Sequence, residues 1–285
     1  MIGRIVSLKR VMKRPWEMGY IGFIYSSIAI ILTSFVFAND SVLNQYSGIL
    51  LVLFTLICCL PYMYQILRQE EGKGFEISSQ GRLIREHSKA VHALMWLFLG
   101  LVVGFSIWYL ILPSLGANSH NSFDAQIKTF CMINSPHQYE NCLGQYGLIS
   151  GKATSGEHLL GIFANNLYVL MFTLVFSLIF GAGAIFILIW NASVIAAAIG
   201  MFAENISRLH LGLLRYLVHG LPEISAYFIA ALAGGIVSVS VMRKDLRGER
   251  LWIILQDAII LVIVAVLILI ASAFLEVYFT PLLFK

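Results

Sequence analysis

The sequence predicts an all-α, polytopic integral membrane protein with about seven transmembrane helices, its N-terminus inside and its C-terminus outside. Three observations lead there. Of 285 residues, 59% are hydrophobic and only 12% charged, about half the charge of an average soluble domain. The apolar residues gather into stretches of roughly 20 without Lys, Arg, Asp or Glu, the length that crosses a hydrocarbon core of about 30 Å. The basic residues, finally, concentrate in alternate connections.

Residues 1–90 read as an N-terminal extension. Ile5, Leu8, Val11 and Met12 recur at helical spacing among Arg4, Lys9, Arg10, Lys13 and Arg14, the pattern of a short helix lying on a bilayer surface. The first span, about 20–38, is too long for a cleaved signal, and Phe37-Ala38-Asn39-Asp40 is a poor cleavage site, so it reads as a retained anchor. A second span follows at about 48–67. Cys58 and Cys59 lie within it as small apolar core residues, with acylation the alternative. Arg68–Ala90 mixes both charge signs with Gly72 and Gly74 and reads as a solvated connector.

Residues 91–285 hold the remaining five helices, at about 91–112, 163–180, 184–203, 221–242 and 252–279. The outer loop, 113–162, is the one sizeable polar piece and carries Cys131 and Cys142. A bridge between them would order a loop that buries little apolar surface by itself; two free thiols are the alternative. Phe163–Ala203 contains 41 residues without a charge, which as one helix would measure about 61 Å, twice the membrane. Gly181 and Gly183 supply the break that makes two spans of it. Glu204–Gly220 sets Ile206, Leu209, Leu213, Leu214 and Leu217 along one side, suggesting an amphipathic helix at the outer interface. With this count, 14 of 19 Lys and Arg residues face the cytoplasm. A single crossing by 163–203 would place the Arg243, Lys244, Arg247, Arg250 cluster outside. The net charge of +4 thus follows from membrane orientation, and no nucleic-acid partner is expected.

Polar residues at membrane depth are the first candidates for function, since each needs a partner. Asn165 and Asn166 open the fourth span, Asn191 lies in the fifth, and His219-Gly-Leu-Pro222-Glu223 begins the sixth. His219 and Glu223 would share a helix face one turn apart. Pro222 suits a first turn, so the helix is expected to start near Leu221, with His219 just outside. Catalysis would make Glu223 a general base or the pair metal ligands; a structural role needs only hydrogen bonding between packed helices. No catalytic residue, metal site or cofactor is assigned, because a metal needs three or more convergent ligands. Glu70-Glu71 resembles the glutamate pair of intramembrane CAAX-type proteases, but Gly72-Lys73-Gly74 replaces the basic residue expected next within a helix. No Walker loop, Gly-x-Ser-x-Gly elbow or His-Glu-x-x-His occurs.

The order Phe163-Ala-Asn165-Asn166, Gly181-x-Gly183, Asn191, Gly200, His219-Gly220-x-Pro222-Glu223 and Ala233-Gly234-Gly235 resembles the SpoIIM family, stage II sporulation protein M, in the manner of an archaeal or non-sporulating bacterial relative. The best-understood members of that family are membrane components of the engulfment machinery of spore formers, where they hold peptidoglycan-remodelling enzymes at the septum. The resemblance implies a non-enzymatic scaffold in the cell membrane with an extracytoplasmic or membrane protein partner, and a homo-oligomer is compatible with it. The rival expectations are a permease-like component, whose broken fourth and fifth spans and Glu223 line a polar cavity, and an intramembrane hydrolase centred on His219 and Glu223.

Overall fold

The computed structural model describes residues 14–76, 80–134, 155–242 and 249–279. Among them every regular element is helical, and seven helices are long and apolar enough to cross a membrane. In order, α1 is Glu17–Ile31, running on as a π-helical turn Leu32–Val36; α2 is Ser47–Glu76; α3 is Gln80–Ile111. A shorter α4, Asp124–Asn134, precedes α5, Ser155–Phe180, and α6, Ile185–Ala203. The last two are α7, Leu209–Met242, and α8, Glu249–Phe274.

The tightest helix pair is α1 on α3, which run parallel. Gly19 and Gly22 meet Trp96, Leu97, Gly100 and Leu101, and Ser26 meets Gly104. A Cβ on Gly22 would overlap the Leu97 carbonyl oxygen, and one on Gly100 the Gly19 carbonyl. Gly100-x-x-x-Gly104 is therefore a small-residue face on which backbones touch, as membrane helices use where water supplies no driving force. Trp108 Nε1 donates to Ser27 Oγ at 2.8 Å on the same seam.

Between α5 and α6 the chain turns through a four-residue 3₁₀ segment, Gly181–Ala184. Gly181 has φ 58°, a left-handed conformation that costs other residues about 1–2 kcal/mol. Ser177 Oγ donates to the carbonyls of Gly181 and Ala231, fixing the turn against α7. Gly181→Val is expected to lower stability by about 1–2 kcal/mol, read as a reduced melting temperature in detergent, while Gly161→Ala, inside α5 and facing open space, does not lower it.

Three expectations need correction. Arg68–Ala90 is not solvated at Glu70 and His87. The helices α2 and α3 extend through most of it, and Glu70 and His87 are fully buried because they find polar partners inside the bundle. The break expected at Pro222 is absent. Pro222 lies inside the unbroken α7, so that helix begins at Leu209 and His219 belongs to it. Proline lacks an amide hydrogen and crowds the carbonyl four residues before it, and membrane helices accommodate such a residue where neighbouring groups make up the loss. Glu204–Gly220 accordingly is not one separate helix: Ile206–Arg208 is a 3₁₀ turn, and Leu209 onward runs without a break into the sixth span, Gly220–Met242.

The first part of the 113–162 loop also folds onto the bundle. Phe123, Ile127 and Cys131 are buried, Phe123 packs edge-on against Phe105 and Tyr109, and Gln126 Nε2 donates to the Gly48 carbonyl at 2.8 Å. The surface helix expected over residues 1–18 begins before the described residues, and Cys142 lies outside them, so only the Cys131 half of the expected bridge is placed.

Candidate functional site

Two polar clusters sit at opposite ends of the bundle. At the end that carries α4, the early turns of α5 and the middle of α7 bring Asn166 to Glu223. Asn166 is buried and exposed Asn165 donates its Nδ2 to Asn166 Oδ1 at 3.3 Å. Glu223 accepts a 2.7 Å hydrogen bond from the Tyr227 hydroxyl one turn along α7, and a second hydrogen bond joins it to Asn166. With Asn166 Oδ1 already accepting from Asn165, its amide nitrogen is the donor to Glu223. Glu276, in the π-helical turn Leu275–Phe279 that extends α8, comes close enough to Glu223 to interact electrostatically. The cluster thus joins α5, α7 and the end of α8.

Of the residues singled out from sequence, Asn165, Asn166 and Glu223 come together here. Asn191 does not: its Nδ2 donates 2.8 Å back to the Ile187 carbonyl of its own helix. His219 lies one turn before Glu223 on α7, and its side chain is outside the described residues. Tyr227 and Glu276 were missed. Tyr227 follows Glu223 at a spacing of four, which a search for i, i+4 polar pairs would find.

At the opposite end lies a second cluster, none of whose residues was singled out as a candidate from the sequence. His87 Nδ1 lies 2.9 Å from Glu70 Oε2, and its Nε2 lies 3.1 Å from Asp257 Oδ2. The three residues come from the ends of α2, α3 and α8, and none is more than 2% exposed. Asp257 Oδ1 is buried without a hydrogen-bond partner. Because the two ring nitrogens point away from each other, toward different carboxylates, the three groups bracket the imidazole instead of enclosing an ion. Among the described residues no group of three or more His, Cys, Asp or Glu side chains is arranged to hold a metal.

The comparisons with known proteins bear on the part of the chain that holds most of these residues. The family model of stage II sporulation protein M, SpoIIM, matches residues 91–281. The chain belongs to the SpoIIM family. An uncharacterized protein of Methanocaldococcus jannaschii is 32% identical over 127 residues, which make up 42% of this chain and 69% of that relative. No solved structure matches. The SpoIIM match takes in Asn165, Asn166, Asn191, His219, Glu223, Asp257 and Glu276, whereas Glu70 and His87 precede it.

Proposed function

We propose that this SpoIIM protein is a non-enzymatic scaffold of the cell membrane that positions an extracytoplasmic or membrane protein partner involved in remodelling the cell envelope. In this reading the N-terminus is cytoplasmic, α4 and the following loop face outward, and a Cys131–Cys142 bridge stiffens the surface offered to the partner. The observation that carries it is the way polar groups are used. Glu223 is held by two donors from the bundle itself, Tyr227 and Asn166, and Asn191 is spent on its own helix. Nor do the two clusters connect along the helix they share. Asp257 and Glu276 are 19 residues apart on α8 and its extension, about 28 Å at 1.5 Å per residue. Between them Ser272 is the one polar side chain, a poor path for protons or polar solutes.

One observation favours a second reading, a permease-like component: Glu276 lies within electrostatic reach of Glu223, and two acids near each other in a span are candidates to carry a proton or cation. Two substitutions separate the readings. A structural acceptor needs hydrogen-bonding capacity without proton exchange, so Glu223→Gln should keep most of the melting temperature and still complement a deletion strain. Glu223→Leu leaves the Tyr227 hydroxyl and the Asn166 amide without their acceptor and should cost about 1–3 kcal/mol. A Glu223→Gln protein that folds normally yet fails to complement would sink the scaffold reading.

A further inference from the structure

We propose that Glu70, His87 and Asp257 form a proton-dependent clamp fastening the N-terminal extension to the SpoIIM domain, closed while the imidazole carries both ring protons and loosened when it carries one. The two hydrogen bonds run from opposite ring nitrogens to carboxylate oxygens, and an ionised carboxylate only accepts. Satisfying both at once therefore takes an N–H on each nitrogen, the imidazolium form. A neutral ring has one N–H, so one of two fully buried carboxylates would lose its donor, at the high cost of an uncompensated buried charge.

The contact that yields is the one to Glu70. Glu70 has a further interaction besides His87, whereas the second oxygen of Asp257 is buried with no partner. Asp257 thus depends on His87 alone, and a ring with a single proton does best by keeping it toward Asp257. Losing the second proton then frees the end of α2 from α3 and α8. Glu70 belongs to the extension, while Asp257 lies within the SpoIIM match, so the clamp spans the boundary between them.

Other charges described at this end do not substitute for the ring. On α2, Arg68 is exposed; on α3, Lys89 and His92 are exposed, with His92 Nδ1 at 3.0 Å from the Ser88 carbonyl. Arg14 and Glu17 pair with each other at the start of α1. The described parts of α5 and α6, and the inner half of α7 from Ile224 to Met242, carry no charged residue at this end.

The test uses the full chain in lipid nanodiscs, labelled with ¹⁵N-histidine, and with genetically encoded spin labels at Arg68 on α2 and Gln256 on α8, both exposed. At neutral pH the His87 ring should show both nitrogens protonated, assigned by loss of the signal in His87→Gln. As pH rises, that signature should disappear together with a lengthening of the Arg68–Gln256 distance. Asp257→Asn, which removes one of the two carboxylates, should abolish the pH dependence of the distance even where His87→Gln fails to fold. A His87 ring with one protonated nitrogen at neutral pH overturns the proposal. So does a distance that stays fixed while the ring titrates, or a ring that keeps both protons across the whole range in which the protein remains folded.

Discussion

Replacing His87 by Leu is expected to destabilise the protein by about 3–5 kcal/mol, the usual cost of removing one member of a buried charged group. The substitution leaves Glu70 and Asp257 both buried and Asp257 with no donor on either oxygen. The loss should appear as a large fall in melting temperature in detergent and a reduced yield of monodisperse protein. A companion variant tells electrostatics from shape. With Glu70, His87 and Asp257 all replaced by Leu, the uncompensated charge disappears along with the hydrogen bonds, and buried ion clusters replaced as a unit by apolar side chains commonly recover stability. The triple variant should therefore melt above His87→Leu. If it melts as low or lower, ordinary packing at His87, not charge, governs this end of the bundle.

A comparably large effect is expected from Gly100→Leu. Here the obstacle is backbone: the added Cβ would run into the Gly19 carbonyl, and no rotamer change relieves that. Overpacking typically costs about 1–3 kcal/mol, and separation of α1 from α3 would also remove the Trp108–Ser27 hydrogen bond, so about 3 kcal/mol or more is expected. The measurement is thermal unfolding beside Gly161→Leu, a glycine with no heavy atom near its would-be Cβ. Equal melting temperatures for the two variants would show that the α1–α3 seam is looser than its geometry.

The seven spans were legible because hydrocarbon thickness imposes a length on each apolar stretch, and their predicted centres agree with the helices found. The helix ends were less so. Glu70 and His87 were assigned to a solvated loop because charge in a sequence is ordinarily charge in water. What reverses that is Asp257, which lies 170 residues beyond His87, a pairing that no local pattern encodes. A sign was nevertheless present. Asp257 and Glu276 are isolated acids flanking the aliphatic run of the last span, and an ionisable residue at membrane depth calls for a partner. The span as read, about 252–279, contains both, but neither was singled out as a polar candidate. In the other cluster, Asn166 and Glu223 were found by their polarity. Asn191 carries the same polarity but faces its own helix carbonyl, and sequence does not distinguish the two outcomes.

The seam between α1 and α3 also sets an order of events during biogenesis. Two parallel neighbours cannot form a hairpin. When the first helix leaves the translocon, the glycine face that will receive it is not yet synthesised, and the chain must cross back through α2 before Gly100 and Gly104 enter the bilayer. Until then Gly19 and Gly22 lack their partners, and contacts with α2, such as Tyr25 on Tyr62, are what hold the first helix. Slowing translation between residues 40 and 100 should therefore lengthen the life of a loosely held, degradable first span, whereas slowing it after α3 should not.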